Sequence, residues 1–367
     1  MLKFIHAADF HLDSVFSALT DEQAAERRRE SRELGLRLAN YANTHGIDLV
    51  LLAGDLFDSR DIFQETGEQL SAALGVMKAQ VLIAPGNHDW YDAKSPWATI
   101  KWPDNVHIFQ TNHLTKIELP KWNLVVHGAA FTAPEQSESM LKGFSAPKDG
   151  KRHFALMHGD FDSANDRYNP IQQKEIEDSN LEFLALGHIH KQSDPKYLGK
   201  TLCAWPGCPE GRGFDELGEK GFYVGAMDEQ GQVALKFIPF AKRHHEVLDV
   251  DVTGKDPRIA VEETLPPNTE TDLYRIRLIG ETDHTINTEA LTNALAHRFY
   301  TLEIRDFTHA TQDIWARAEE NSLRGLFLRE LRNKFNAAES DEERELVTKA
   351  VTFGLAALDH RDIGERL

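Results

Sequence analysis

Short apolar runs recur through the first two thirds of the chain, three to five residues long, and each is stopped by a polar cluster. They occupy residues 4–8, 49–53, 81–84, 124–126, 154–157 and 183–186. Consecutive apolar positions suit strands buried on both faces, so these runs predict a layered α/β domain. Between the first two runs, Thr20 and Gln23 fit a capping box, and Leu34, Leu38, Ala39 and Ala42 recur at helical spacing, which predicts one helix there. Residues 221–226 and 233–238 flank Asp228-Glu229-Gln230-Gly231 and predict a hairpin.

The texture changes near residue 245. Residues 247–252 and 274–278 alternate as strands do, with breaks at Thr253-Gly254-Lys255-Asp256-Pro257 and Leu265-Pro266-Pro267-Asn268. Residues 288–297 predict a helix and 301–307 a strand. From about Asp313 the pattern is helical: Leu323, Leu326, Phe327, Leu331 and Phe335 form one stripe. Ser340 and Glu343 make a second capping box ahead of Leu346, Val347, Ala350, Val351 and Leu358. Three segments follow: a catalytic-sized domain over 1–242, a small α+β module over 243–310, and a helical segment over 311–367. That last stripe suits either packing on the module before it or docking a partner helix or coiled coil.

Composition narrows the classes. The chain has 367 residues, 41% hydrophobic and 27% charged, as in ordinary globular proteins. No run nears the roughly 20 apolar residues that span a bilayer, and residues 1–6 enter the first strand with no signal-peptide pattern. A cytoplasmic location without membrane attachment is the expectation. The net charge of −18 argues against whole-surface binding to nucleic acid. It leaves room for a nucleic-acid enzyme, because bound cations make a site locally positive. Cys203 and Cys208 lack zinc-site spacing and read as reduced thiols. Arg27-Arg28-Arg29 on the predicted helix reads as a solvated face or a phosphate-backbone contact.

The polar clusters carry the chemistry. They are Asp9-Phe10-His11, Gly54-Asp55, Gly86-Asn87-His88-Asp89, His158-Gly159 and Gly187-His188-Ile189-His190. Loops at the carboxyl ends of strands converge on one crevice, so residues far apart in sequence can meet there. Divalent ions that drive hydrolysis take deprotonated oxygens and neutral imidazoles. Asp9 and His11, two apart on an extended segment, would face one ion. Asp55 has two oxygens and could bridge ions about 3.5–4 Å apart. Asn87 offers an amide oxygen, and His158, His188 and His190 would complete the shells. His6, His127 and His153 read as satisfied polar groups at strand ends.

These residues also resemble the signature set of the calcineurin-like metallophosphoesterase superfamily, over about residues 1–240. The resemblance implies a β-sandwich flanked by helices, with the small module as a cap. Gly54-Asp55-Leu56-Phe57-Asp58, Trp205-Pro206-Gly207-Cys208-Pro209-Glu210-Gly211-Arg212-Gly213-Phe214 and Gly218-Glu219-Lys220-Gly221-Phe222 resemble SbcD-type DNA repair exonucleases and their YhaO-like relatives. Position 208 departs from that pattern, with cysteine where serine is expected. The resemblance implies one ion on Asp9, His11, Asp55 and His190, and another on Asp55, Asn87, His158 and His188. His88 would lie over the site and act on the scissile phosphate, with Asp58 and Asp89 behind the ligands. Mn(II) is the ion implied; the mixed N/O donors also suit Fe or Zn. DNA is the implied substrate, and the C-terminal helices would dock an SMC-like coiled-coil ATPase; a homodimer is a further expectation. The competing readings are a phosphodiesterase for a small nucleotide or lipid headgroup, and a non-catalytic scaffold. A scaffold should have lost ligands, and here the set is complete.

Overall fold

The computed structural model describes residues 1–161, 167–282, 285–310, 315, 317–338 and 340–358. The chain divides into two compact units. The first comprises residues 1–247, 268–274 and 299–301, and the second residues 248–267, 275–298 and 302–367.

The first unit runs β1 (Leu2–Ala7), α1 (Asp21–Arg32), α2 (Leu34–His45), β2 (Leu49–Leu52), α3 (Gln64–Gly75), β3 (Gln80–Ile83), α4 (Pro96–Thr99), β4 (Val106–Ile108) and β5 (Thr115–Leu119). It continues with β6 (Leu124–Gly128), β7 (Arg152–His158), α5 (Gln173–Asp178), β8 (Phe183–Gly187), β9 (Lys196–Leu198), β10 (Thr201–Ala204), β11 (Gly221–Met227) and β12 (Val233–Pro239). The strands form two sheets, β12-β11-β1-β2-β3-β4 and β5-β6-β7-β8-β10-β9. β1 to β4 are parallel, and β11 joins β1 antiparallel with Leu2 opposite Met227. In the second sheet β6, β7, β8 and β10 are parallel, with antiparallel strands at both edges.

Side-chain alternation explains why the runs are continuous. Phe4, Leu49, Leu51 and Leu82 of the first sheet pack on Val126, Phe154, Leu156 and Phe183 of the second, giving a sandwich. The intervening residues point outward and are buried too. Ile5, Val50, Leu52 and Val81 meet Leu38 of α2 and Leu70 of α3, and Met157 and Leu184 meet Ile176 of α5. This is the expected α/β layered sandwich flanked by helices, and the predicted hairpin is β11–β12.

Two sequence expectations need correction here. The single helix between the first two strands is two helices that part at Glu33. The Thr20–Gln23 capping box is present on α1. Arg27 is also not on a solvated face: its side chain is buried and donates to Glu30 at 2.7 Å, Glu210 at 3.2 Å and the Gly211 carbonyl at 3.0 Å. Glu30 in turn accepts from Arg243 at 2.8 Å. α1 thus seats on charged partners rather than on an apolar stripe, which hydrophobic periodicity cannot show.

His127 and His153 pair through their ring nitrogens at 3.0 Å. His6 is satisfied on one side only: Nε2 donates to the Leu186 carbonyl at 2.9 Å, and buried Nδ1 has no partner among the described residues. Burial drives the His6 pKa down to about 3. The unfolded chain, with an ordinary value near 6.5, therefore binds a proton that the folded chain refuses, and stability falls as pH drops from 6.5 towards 3. His6→Gln keeps an amide donor and removes the titration. It should eliminate about 2–3 kcal/mol of the stability lost between about pH 7 and 4.5, read by urea unfolding at the two pH values. An unchanged acid slope would remove His6 from the account.

The second unit carries β13 (His245–Asp251), α6 (Pro257–Thr264), β14 (Leu273–Ile279), β15 (Glu281–Thr282), α7 (Thr288–Leu295), β16 (Thr301–Asp306), β17 (His309–Ala310), α8 (Leu323–Ala337) and α9 (Asp341–Leu358). The first residues of β13, β14 and β16 count with the first unit. These three strands form one sheet, and β15 pairs with β17. α8 and α9 pack through Leu328 and Val351, with Phe327, Leu331 and Leu355 around them. Leu323, Leu326 and Leu346 stay exposed, so the predicted stripe is covered only in part. Ser340 Oγ accepts from the Glu343 N–H at 3.2 Å. Asp313, where the helical pattern was expected to begin, and residues 359–367 lie outside the described residues. Among the described residues, no helix is long and apolar enough to cross a membrane.

Candidate metal centre

The exits of β1 and β2 are zipped together. Asp9, His11 and Leu12 donate backbone N–H groups to the carbonyls of Gly54, Asp55 and Leu56 at 3.0, 3.0 and 2.9 Å. Asp9 and His11 do not follow the extended geometry expected of them. Their φ values are 56° and 46°, and Asp55 and His188 are also left-handed at 52° and 101°. Such conformations are costly for residues with a Cβ and gather where the surroundings impose them. Here the cross-loop hydrogen bonds impose them, and the turns deliver the side chains to one point. The loop after β3 approaches closely: a Cβ on Gly86 would stand 2.2 Å from Asp55 Oδ1.

At that point Asp9, His11, Asp55 and His158 are all buried. Asp55 Oδ2 lies 3.3 Å from His158 Nε2 and 3.8 Å from His11 Nε2, while its Oδ1 accepts the His88 N–H at 2.9 Å. His190 Nε2 is 3.9 Å from Asp9 Oδ1 and 3.1 Å from His11 Nε2. Asn87 Oδ1 is 3.0 Å from His158 Nε2. Both Asp9 oxygens accept the His188 N–H, at 3.1 and 3.2 Å. The His188 ring stands beside this cluster, its centroid 5.2 Å from those of His158 and Tyr168.

The outer nitrogens set the chemistry of the inner ones. His11 Nδ1 faces Asp58 Oδ1 at 3.0 Å, His190 Nδ1 faces Glu216 Oε1 at 2.7 Å, and His158 Nδ1 faces the Ala53 carbonyl at 2.8 Å. In a neutral imidazole each outer acceptor takes the N–H, which leaves the Nε2 lone pair to face inward. Lone pairs then face carboxylate and amide oxygens at separations of 3.0 to 3.9 Å, an arrangement that a cation satisfies and a neutral core does not. Asp9, His11 and His190 form one set whose ligand atoms lie within 4.8 Å of one another, and Asp9, Asp55 and His158 form a second. His11, Asp58 and His88 form a third.

Protons compete with a cation for these nitrogens. Burial works against charge on Asp55, but His158, His11 and His88 hold its carboxyl far below the ordinary range. Burial likewise opposes a charged His158, and Asp55 outweighs it, pushing that imidazole up to about 9. Asp89 is buried and receives the N–H groups of Gly86, Asp55, Leu56 and Phe57 at 2.7–3.2 Å. Burial and then the neighbouring Asp55 push its carboxyl up to about 7, against the pull of those donors. Its place is structural: it ties the loop after β3 to the loop after β2. His88 is exposed, with Nδ1 on the Asp58 carbonyl at 3.0 Å and its ring centroid 4.8 Å from that of His11.

Three further residues had no role in the sequence reading. Glu216 and Arg212 stand behind His190, and buried Asn169 donates to the His158 carbonyl at 2.8 Å. Arg212 lay within a motif-like stretch; Glu216 and Asn169 carried no local signal, because only the fold brings them to the histidines.

The family model for calcineurin-like phosphoesterases matches residues 2–192. An uncharacterized metallophosphoesterase, YhaO of Bacillus subtilis (strain 168), is 30% identical over 273 residues, covering 69% of this chain and 64% of the relative. The DNA double-strand break repair protein Mre11 of Methanopyrus kandleri is 20% identical over 277 residues, covering 69% of this chain and 60% of the relative. The chain thus spans less than two thirds of the length of either. The crystal structure of TT1561 of Thermus thermophilus aligns with 64% of this chain and 98% of its own, at 12% identity and a TM-score of 0.39.

Proposed function

The chain belongs to the calcineurin-like phosphoesterase family, and we propose that it is a two-metal phosphodiesterase of the SbcD type that cuts DNA in repair. The observation that carries this reading is the convergence of the Nε2 atoms of His11, His158 and His190 on the Asp9 and Asp55 carboxylates. Asp9, His11, Asp55 and His190 would hold one ion, and Asp55, Asn87, His158 and His188 the other. Bound divalent ions supply a nucleophile at neutral pH and neutralise charge on the phosphoryl oxygens. Manganese is our choice, and the N/O donor set accommodates it. Asp58 aims His11, and its carbonyl aims His88. His88, exposed at the edge of the centre, is placed to give a proton to the departing sugar oxygen or to stabilise its charge.

DNA as substrate draws support from the Mre11 relative and from the 205–222 stretch, whose Arg212 and Glu216 lie against the site. The exposed leucines of α8 and α9 are where we place docking of an SMC-like coiled-coil ATPase. The test is hydrolysis of single- and double-stranded DNA by the Mn(II)-loaded chain, set beside a chromogenic phosphodiester. We expect DNA to be the better substrate by at least about 100-fold in kcat/KM. Turnover of the small ester with no cutting of DNA would favour the small-substrate reading instead.

A further inference from the structure

We propose that Arg212 is a positioning residue that governs loading of one ion only, the one between Asp9, His11 and His190; this rests on the two-metal reading above. Arg212 touches neither carboxylate at the centre, and its Nη2 also lies 3.1 Å from His190 Nδ1. Its Nη1 donates to Asp58 Oδ1 at 3.0 Å, the atom that holds His11 Nδ1. Its Nη2 donates to Glu216 Oε1 at 2.8 Å, the atom that holds His190 Nδ1. Its backbone N–H takes the other Glu216 oxygen at 2.8 Å. On the inner side His11 and His190 meet, Nε2 to Nε2, at 3.1 Å. Five side chains therefore close a ring: Arg212, Asp58, His11, His190 and Glu216.

The planar guanidinium is suited to bridging two carboxylates at once, and a compact ammonium is not. A carboxylate behind an imidazole fixes its direction and raises its basicity as a ligand. Arg212 is the common counterion of two such carboxylates, so it aims two ligands of one ion together. Lys220 adds a bond to the His190 carbonyl at 3.2 Å, and the Glu216 N–H closes a turn on the Gly213 carbonyl at 3.0 Å. His158 is held differently, by the Ala53 carbonyl at Nδ1 and by Asn169 at its own carbonyl. The histidines of the two ions thus have different groups behind them: a charged ring behind His11 and His190, a backbone carbonyl and an amide behind His158.

The test is Mn(II) binding to the full chain, by calorimetry and by electron paramagnetic resonance, for the wild type, Arg212→Gln, Arg212→Lys and Glu216→Gln. The wild type should bind two ions with a spin-coupled spectrum. Arg212→Gln and Glu216→Gln should keep one ion at near wild-type affinity and bind the other about 10–100-fold more weakly, giving an isolated-ion spectrum at one equivalent. Arg212→Lys keeps the charge and loses the bridge, and should fall between. If Arg212→Gln does not fold by circular dichroism, the other two variants decide. Two ions at wild-type affinity in folded variants would overturn the proposal, and a raised KM alongside would assign Arg212 to the substrate. Equal loss of both ions in a folded variant would overturn it as well. A wild type that binds fewer than two ions would refute the two-metal reading itself, and the clamp with it.

Discussion

Asp55→Asn is expected to slow phosphodiester hydrolysis by about 10³-fold or more and to leave no more than one divalent ion per chain. The substitution is nearly isosteric. An amide oxygen can still accept the His88 N–H that Oδ1 now receives at 2.9 Å, so the loop after β3 keeps its anchor. What disappears is the charge on Oδ2, which faces His158 at 3.3 Å and His11 at 3.8 Å and would serve both ions in the proposed two-metal centre. The same charge pushes His158 up to about 9. Elemental analysis and initial rates on DNA check the expectation, and thermal unfolding confirms that the fold survives. Two ions retained with a rate within about tenfold of wild type would remove Asp55 from the shared position.

His88→Ala should separate catalysis from metal binding. The ring is exposed and rests on the Asp58 carbonyl, and Asp55 Oδ2 faces His158 and His11. Two ions should remain, while cutting of DNA falls by about 10²–10⁴-fold. The leaving group divides the two chemical roles. A sugar alkoxide needs a proton to depart and a nitrophenolate does not, so loss on a nitrophenyl diester should be far smaller if His88 donates a proton. Equal losses on both substrates would assign it to stabilising charge. DNA cut at the wild-type rate would end its catalytic assignment.

Most of the sandwich was legible in the chain because β1, β2, β3, β6, β7 and β8 are largely apolar on both faces, and so were the loops that follow β1, β2, β3, β7 and β8; the inner strand β10 and the short strands β4, β5 and β9 were not read. Periodicity is local, and it saw what is local. It missed the break at Glu33 and the burial of Arg27, because α1 packs by ion pairs with Glu210 and Arg243, residues distant in sequence. It read Asp9 and His11 as extended, because left-handed φ values are imposed by hydrogen bonds from another loop. It named the histidines of the centre and not Glu216, which reaches His190 across 26 positions. Metal-ligating residue types are recognisable as a set; the groups that aim them are ordinary carboxylates and guanidinium groups, distinguishable only once the chain has closed.

β1 lies inside its sheet, and one neighbour, β11, pairs Met227 with Leu2. During synthesis the first strand therefore waits, with one edge open, for a partner that begins only at Gly221. Arg212 and Glu216 precede that partner by only a few positions, so nascent chains lack the charged ring until the sheet is nearly complete. Imidazoles made early acquire their support last, and a truncated product ending before β11 would present an open strand edge beside them.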